Sequence, residues 1–512
     1  MDTAPTDQAP IVPNRGLITA CVMAATLMQT LDTTIVNVAL PYMQGSLAAA
    51  PDQITWVLTS YIVAAAIMTA PVGWMTARFG RKRVFLVCLV GFTAASMLCG
   101  LAGSLAEIVL FRLLQGIFGA ALVPLSQATM LDIYPVEERG PAMAMWTMGV
   151  VVGPIIGPTL GGYLTDAYNW RWVFYINLPL GILASLGLWI FMKETRRGAG
   201  IGFDFVGFAV LSLGLAALQL MLDRGEQKDW FGSTEIITYA VLCGLGFYLF
   251  VVHTLTAEKP LIAPRLFRDV NFSSSLLMIF CVGILLLATA ALLPPWLQTL
   301  GGYSVVEAGL LIAPRGAGTM IGVMLAGRLS NRVDPRGLML LGILMVAVSL
   351  WEMTGWTPDV DGWTMSRVSI LQGFGLGLVF TPLQVVAFAT LPFELRTDGT
   401  ALFSLLRNVG SAIGISVTSV LITQNTQIVH AQIVEHVTPF SRWLQSGAAY
   451  LLWNSATPPG VAALNEEVTR QASIIAFIDD FKLLLLLCLP MALLLLLMRR
   501  PAADASPAPH PA

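Results

Sequence analysis

The chain has 512 residues, of which 56% are hydrophobic and only 11% are charged, and its formal net charge is −2. Soluble proteins contain about 25% charged residues, so this composition excludes a soluble enzyme, and it also excludes a disordered chain, which is polar. A general nucleic-acid binder is excluded as well, because there is no net positive charge to meet phosphate. The composition predicts an all-α polytopic membrane protein built from apolar helices of about 20 residues each.

The N-terminal segment 1–16 is predicted to be a cytoplasmic tail, because it contains acidic residues and only one basic residue, Arg15, unlike a secretory signal. The apolar windows that follow predict fourteen membrane helices, near 17–40, 53–76, 84–103, 106–130, 141–163, 173–192, 203–222, 235–256, 272–294, 305–327, 337–355, 364–391, 399–424 and 478–498. An even number places both termini on one side, and basic residues concentrate in the loops of that side, which predicts that it is cytoplasmic. The Pro/Ala-rich segment 499–512 is expected to be a disordered cytoplasmic tail.

Polar residues interrupt the first predicted membrane helix. At three- and four-residue steps they are expected to lie roughly on one face: Gln29, Asp32, Thr33 and Asn37. An ionised carboxylate inside a bilayer costs several kcal/mol, so Asp32 must face the interior of the bundle, where desolvation disfavours its charged form. A carboxyl group that titrates as its exposure to water changes can couple protons to transport. The alternative is a structural carboxyl group that only pairs helices.

The loop between the second and third predicted helices combines glycines with a cluster of basic residues. Its candidate positions for a tight cytoplasmic hinge are Gly73, Arg78, Gly80 and Arg81. The basic residues are equally typical of simple topology anchors at the cytoplasmic face.

The fourth predicted helix places Arg112 and Gln115 on one face. A buried arginine stays charged, so Arg112 can hold a carboxylate or a backbone carbonyl, and a change of partner would change the proton affinity of that carboxyl group. Arg112 is therefore a candidate for proton coupling together with Asp32, and Gln115 is a candidate for the substrate pathway. A fixed tie between helices is the alternative for Arg112.

The fifth predicted helix carries a stripe of glycines with prolines between them. The stripe contains Gly149, Gly153, Pro154, Gly157, Pro158 and Gly161. Glycines at four-residue spacing let another helix approach closely, and prolines make a helix bendable. The pattern favours a pliable seal that suppresses leak, with tight packing alone as the alternative.

Short motifs of the first half recur in the same order in the second half, at a nearly constant offset. The matches are Leu40-Pro41 with Leu293-Pro294, Gly73 and Arg78 with Gly327 and Arg332, Gln115-Gly116 with Gln372-Gly373, Pro135–Arg139 with Pro392–Arg396, and Gly153 and Gly157 with Gly410 and Gly414. Two six-helix halves related in this way are typical of a rocking transporter. The predicted domains are 17–192 for the first half, 193–270 for a linker with two extra membrane helices, and 271–498 for the second half.

Two features of the second half lie outside the repeat. Arg407 lies within an apolar helix, where it needs an acceptor or an anionic group of a substrate, so it is a candidate for the substrate pathway. The segment 425–477 is predicted to be a long periplasmic loop, which is longer than a hairpin connector requires. It is either a docking surface for an extracytoplasmic partner or an unconstrained connector.

The motifs resemble those of the major facilitator superfamily and, within it, of the fourteen-helix drug:proton antiporters. The residues that carry the resemblance are Leu31–Pro41 in the first helix, Arg112-x-x-Gln115-Gly116 in the fourth, the glycine and proline stripe of the fifth, and Trp170–Gly181. The family's first-helix aspartate, here Asp32, is associated with proton coupling. One position departs from the superfamily's pattern, because Ala77 stands where an aspartate often precedes the arginine of the hinge, so a charge relay through that aspartate is in doubt.

A narrower resemblance links the chain to the EmrB-type pumps. It rests on Leu218–Gly225, Asp229–Phe231 and the long segment before the last helix. The resemblance implies a bacterial cytoplasmic (inner) membrane location, a periplasmic membrane-fusion (EmrA-like) partner and an outer-membrane (TolC-like) channel.

The sequence contains no metalloprotease, serine hydrolase or nucleotide-binding motif, which predicts a protein that is not an enzyme and has no cofactor. An ion gradient is then the economical source of energy. The hypothesis is proton-coupled export of amphipathic drugs or toxic organic compounds across the cytoplasmic membrane. The alternatives are a dedicated exporter of a specific metabolite or fatty acid, and a membrane sensor or scaffold that does not transport.

Overall fold

The computed structural model describes residues 14–194, 202–330, 332–437, 453 and 457–499. The predicted tails lie almost wholly outside these residues, as do 195–201 of the predicted linker. Within the described residues, 13 helices are long and apolar enough to cross a bilayer, and a bent pair makes a fourteenth. The spans are α1 Arg15–Ser46, α2 Trp56–Thr69 with Val72–Phe79, α3 Arg81–Leu101, α4 Leu105–Ile133, α5 Arg139–Ala167, α6 Trp172–Phe191, α7 Phe205–Arg224, α8 Thr234–Thr256, α9 Val270–Leu300, α10 Glu307–Leu329, α11 Pro335–Met353, α12 Gly362–Ala389, α13 Arg396–His436 and α14 Pro458–Leu497.

Helix packing repeats between the first six and the last six spans. The pairs α1–α5, α2–α4, α3–α4 and α3–α6 of the first half have the counterparts α9–α13, α10–α12, α11–α12 and α11–α14 in the second. The remaining two spans, α7 and α8, pack against each other, and α7 also packs against α2. The prediction of two six-helix halves with an inserted pair of helices is therefore confirmed. Span α2 bends by 56° at Pro71, whose backbone has no N–H to continue the helix.

The glycine stripe of α5 packs against α1. A Cβ atom at Gly153 would overlap the side chain of Thr30 and lie 2.8 Å from the backbone nitrogen of Leu31. A Cβ atom at Gly161 would lie 2.8 Å from the carbonyl oxygen of Ile35, and Gly157 contacts α1 between these two levels. Glycine therefore lets α5 approach the backbone of α1. The proposed bending at Pro154 and Pro158, both exposed, stays a prediction.

The same arrangement recurs in the second half. Gly410 of α13 lies against the carbonyl oxygen of Phe280 in α9, and a Cβ atom at Gly414 would lie 2.9 Å from the Cα atom of Ile284. The fifth helix thus packs against the first through glycines in each half, three in the first half and two in the second.

Both ends of the described chain lie at one end of the bundle, called here the basic end. Arg15 forms an ion pair of 2.8 Å with Glu138 at the start of α5, and the amide of Asn271 donates to the backbone carbonyl of Arg499. The two halves meet at this end. Gly73 of α2 packs against Asp398 of the second half. Its repeat partner Gly327 packs against α5, where an added Cβ atom would lie 2.5 Å from that of Ala144.

The prediction of a loop over 425–477 is wrong for the described residues of this segment. Helix α13 continues to His436, and helix α14 begins at Pro458. These helices have 41 and 40 residues, about 60 Å each at 1.5 Å per residue, which is twice the hydrocarbon thickness of about 30 Å. The imidazole Nε2 of His430 lies 3.1 Å from Oδ1 of Asn465, so the extensions lie side by side. We call residues 425–436 and 458–477 the projection. A prediction from hydropathy ends each helix where polar residues begin, although the helix itself can continue into water.

The contact of α5 with α1 predicts unequal effects of alanine at two glycines. Gly153→Ala should destabilise the fold by about 1–3 kcal/mol, because the new methyl group meets backbone atoms that cannot move cheaply. Gly149→Ala is the matched control, since its nearest neighbours are 3.8 Å away and alanine favours a helix by up to about 1 kcal/mol. Thermal unfolding of both variants in lipid nanodiscs measures the difference. Equal midpoints would contradict a tight α1–α5 contact.

Candidate functional site: a buried ion pair and a gate between the halves

Asp32 lies in the middle of α1 and is fully buried, with 0% of its surface accessible. Three side chains donate to its carboxylate. Nη1 of Arg112 lies 2.7 Å from Oδ2, while Nε2 of Gln115 lies 2.8 Å and Nδ2 of Asn177 lies 3.2 Å from Oδ1. Both oxygens act only as acceptors, which is the hydrogen-bonding pattern of an ionised carboxylate.

Arg112 has further partners in addition to Asp32. Its Nε donates to the carbonyl oxygen of Val57 at 3.1 Å, and its Nη1 also donates to Oε1 of Gln115 at 2.9 Å. The guanidinium carbon lies 4.2 Å from the centre of the Tyr61 ring, a distance at which a cation interacts with an aromatic face. These groups can hold the guanidinium when Asp32 is neutral.

Asn177 was not singled out as a site residue, although it lies within the quoted segment Trp170–Gly181. Its Nδ2 bridges Asp32 and Oγ of Ser96 at 3.0 Å, and Ser96 donates to the carbonyl of Phe174 at 2.9 Å. Two signals for it are present in the sequence: it is an asparagine inside an apolar segment, and it belongs to a motif that carries the family resemblance. The site therefore joins five helices of the first half: α1, α2, α3, α4 and α6.

The expectation that the polar residues of α1 share one face is wrong. Each residue of an α-helix turns the chain by about 100°, so Asp32 points about 140° away from Asn37. Gln29 is half-buried and its amide donates to the hydroxyl oxygen of Tyr61 at 3.1 Å, whereas Asn37 is exposed. Gln29 thus reaches the edge of the site through Tyr61, and Asn37 lies apart from it.

A second charged cluster connects the two halves at the basic end. Asp132 at the end of α4 forms ion pairs with Arg81 of α3 and, at 3.0 Å, with Arg396 of α13. Nη2 of Arg81 also donates to the hydroxyl of Thr397 at 2.9 Å. These side chains are largely buried, so the first half is held to the second by charges shielded from water. We call these four residues the gate cluster.

The residues of the predicted hinge between α2 and α3 differ in their burial. Gly80 is buried and has a φ of 90°, a conformation that glycine adopts without strain, and it lies against the carboxylate of Glu194. Arg78 is exposed, while Arg81 belongs to the gate cluster. At Ala77 the family's aspartate is missing, and here Asp132 of α4 supplies a carboxylate for Arg81. Asp132 is not among the candidate site residues predicted from the sequence.

Arg407 lies in α13 and is half-buried. Its Nη2 makes long contacts of 3.5 Å with Oγ of Ser404 and 3.4 Å with Oδ1 of Asn408, both on its own helix. It forms no ion pair with a carboxylate among the described residues. Arg407 is thus separate from both the Asp32 site and the gate cluster.

Comparisons with known proteins agree with this fold. A model of the Major Facilitator Superfamily matches residues 22–415. The multidrug export protein EmrB of Escherichia coli (strain K12) is 36% identical over 472 residues, 91% of each chain, and the fatty acid resistance protein FarB of Neisseria gonorrhoeae is 35% identical over 91% of this chain and 92% of its own. The solved structure of the proton:xylose symporter XylE shares the fold, with a TM-score of 0.59 at 16% identity over 93% of this chain and 95% of that one. The chain therefore belongs to the Major Facilitator Superfamily.

Proposed function

We propose that the protein is a proton-coupled antiporter that exports amphipathic drugs or toxic organic compounds across the bacterial inner membrane. Its similarity to multidrug export proteins over almost the whole chain supports drug efflux, and points to transport rather than catalysis. The observation that carries proton coupling is the buried pair of Asp32 with Arg112. A charged pair at this depth is costly to desolvate, and protonation of the carboxylate would release the guanidinium to other partners.

The proposed cycle uses the contacts of Arg112. With the gate cluster closed, as here, protons and substrate exchange at the end of the bundle opposite the basic end. A proton that reaches Asp32 neutralises it, and Arg112 remains held by the carbonyl of Val57, the amide oxygen of Gln115 and the ring of Tyr61. The weakened tie between α1 and α4 then favours the other arrangement of the halves, in which Asp32 releases its proton to the cytoplasm. Gln29, Asn37, Gln115 and Arg407 remain our candidates for the substrate pathway.

Replacement of Asp32 tests the coupling. Asp32→Asn should abolish uphill, proton-driven export and keep some substrate binding or downhill exchange, because asparagine cannot release a proton. Asp32→Glu should keep part of the activity, since the acid remains on the same side of α1. The measurement is substrate uptake and proton release in inverted membrane vesicles energised with a pH gradient.

Asp166→Asn is the matched control for this experiment. Asp166 is an exposed acid near the end of α5, where it accepts a hydrogen bond from Tyr42, and we expect its variant to transport normally. If Asp32→Asn still concentrates substrate against its gradient, Asp32 is not the coupling acid.

The gate cluster is proposed to keep the cytoplasmic side closed in this state. Asp132→Asn removes the carboxylate that lies between two guanidinium groups, which should cost the closed arrangement about 3–5 kcal/mol. A reporter cysteine at Ala401, which is 3% exposed and lines a small void between the halves together with Ala70, should become accessible to a thiol reagent. The experiment uses a background in which the six native cysteines are replaced.

The control for the gate is Asp334→Asn. Asp334 also lies at the basic end, but it pairs with Arg336 of its own half. Labelling of the reporter should rise several-fold with Asp132→Asn and stay unchanged with Asp334→Asn. Equal labelling in both variants would contradict the proposal that the gate cluster keeps the cytoplasmic side closed.

The projection is proposed to dock a periplasmic membrane-fusion protein, which would connect the pump to an outer-membrane channel. The resemblance to EmrB-type pumps implies a tripartite system, and two helices about twice as long as the hydrocarbon core is thick would extend a helical surface beyond the membrane. The location in the inner membrane, with both termini in the cytoplasm, follows from the same proposal and from the basic loops at the basic end.

Excision of the projection's tip separates docking from transport. Because His430 and Asn465 are in contact, residues 431–464 can be replaced by a short Gly/Ser linker without moving either helix. Drug resistance in cells should be lost, while proton-driven transport in liposomes should persist, since the two-half core is untouched. Loss of both would mean that the segment stabilises the core, and loss of neither would make it a passive connector.

A dedicated exporter of a fatty acid or another metabolite is the second candidate, favoured by the resemblance to a fatty acid resistance protein. Transport assays with several unrelated amphipathic compounds separate a broad pump from a dedicated one. A scaffold would show no proton-driven flux in liposomes with any of them.

A further inference from the structure

The second half contains a counterpart of the Asp32 site without its carboxylate. Gly116 lies against the carbonyl oxygen of Tyr61, and its repeat partner Gly373 lies against the carbonyl oxygen of Arg315. Arg315 of α10 therefore stands where Tyr61 stands in α2. By the same repeat, Gln372 corresponds to Gln115, and Leu285 of α9 corresponds to Asp32.

Arg315 is a buried cation held by neutral groups. Only 7% of its surface is accessible, and its Nη2 donates to the carbonyl oxygen of Leu286 at 3.0 Å and to the hydroxyl of Thr289 at 2.6 Å. Among the described residues, no carboxylate forms an ion pair with it. The guanidinium thus reaches α9 at the level of Leu285, the position that corresponds to the carboxylate of the first half.

Gln372 gives an independent observation. It is 1% exposed, and neither its amide nitrogen nor its amide oxygen has a hydrogen-bond partner among the described residues. In the first half, the corresponding amide of Gln115 donates to Asp32. A buried amide without partners is unfavourable, and so is a cation inside a bilayer without a counter-charge. A single external carboxylate would satisfy both groups.

A buried acid of the second half, Asp480, does not supply the missing carboxylate near Arg315 and Gln372. Asp480 of α14 is fully buried and lies between Phe477 and Phe481, whose rings pack against Trp296. Trp296 is two turns further along α9 than Thr289, about 10 Å at 1.5 Å per residue. Asp480 forms no ion pair with Arg315 in the described structure.

We propose that Arg315 and Gln372 bind the carboxylate head of an anionic amphipathic substrate. The guanidinium offers paired N–H donors that match a carboxylate, and the amide of Gln372 would donate as that of Gln115 does in the first half. The residues of α9 around this position, such as Leu285, Leu286 and Ala288, are apolar, which suits an alkyl or aryl tail. This inference rests on the proposed export function and names one substrate class for it, monocarboxylates with an apolar tail.

The test measures binding to the full-length protein in lipid nanodiscs. The probes are dodecanoate, its uncharged methyl ester and the cation dodecyltrimethylammonium, each used below its critical micelle concentration. The wild-type protein should bind dodecanoate at least about tenfold more tightly than the ester, a difference of about 1.4 kcal/mol. Arg315→Gln and Gln372→Leu should each remove most of this preference, and Arg315→Lys should keep part of it.

Arg367→Gln is the matched control, because Arg367 is an exposed arginine that pairs with Glu352 outside the site. It should leave the preference for dodecanoate unchanged. Thermal unfolding identifies any variant that fails to fold. If Arg315→Gln does not fold, the binding preferences of Arg315→Lys and Gln372→Leu are used to test the proposal instead.

Two results would overturn the proposal: equal binding of dodecanoate and its ester by the wild-type protein, or wild-type preference in folded Arg315→Gln. The proposed function is judged separately, by proton-driven transport of dodecyltrimethylammonium in liposomes. If the wild-type protein transports this cation but shows no preference for dodecanoate, the export function stands and the carboxylate site falls. If it transports neither compound, the export function itself fails.

Discussion

The central constraint on this molecule is that a charge inside a bilayer must find its partners within the protein. Asp32 and Arg112 meet this constraint in the first half, where the carboxylate accepts three hydrogen bonds and the guanidinium also contacts a carbonyl, an amide and an aromatic ring. These contacts position α1, α2, α4 and α6 relative to one another. The glycines of α5 that bring it against Leu31 and Ile35 hold α1 in the same position.

The two halves share their helix packing but use the same positions for different chemistry. The first half contains its own anion, Asp32, while the second half has a leucine there and adds Arg315 on the neighbouring helix. A duplicated fold can therefore hold different groups at equivalent positions, an ion pair in the first half and a cation with neutral partners in the second. Equivalent backbone contacts at Gly116 and Gly373 allow this difference, because the glycines set the helix spacing independently of the polar side chains.

Sequence patterns were sufficient for the fold and for part of the site. Apolar windows and the internal repeat predict the fourteen spans and the halves, because both depend on local composition. The pairing of Asp32 with Arg112 was expected in kind, but Asn177 and Asp132 could not be found from spacing, since their partners are distant in sequence. The sequence did not predict the helix ends at His436 and Pro458, because hydropathy detects the segment that lies in the membrane and not the full length of the helix.

Span α4 links the proposed proton site to the gate. Arg112 lies about two turns inside this span and Asp132 lies at its far end, about 30 Å away at 1.5 Å per residue. Asp32 contacts α4 through Arg112 and Gln115, whereas Asp132 contacts the second half through Arg396. A change in the charge of Asp32 therefore acts on the same helix whose far end holds the halves together. In the proposed mechanism, α4 adopts two arrangements, and both the Asp32 site and the gate cluster influence which of them is populated. Energetic coupling between distant sites requires such a shared two-state element.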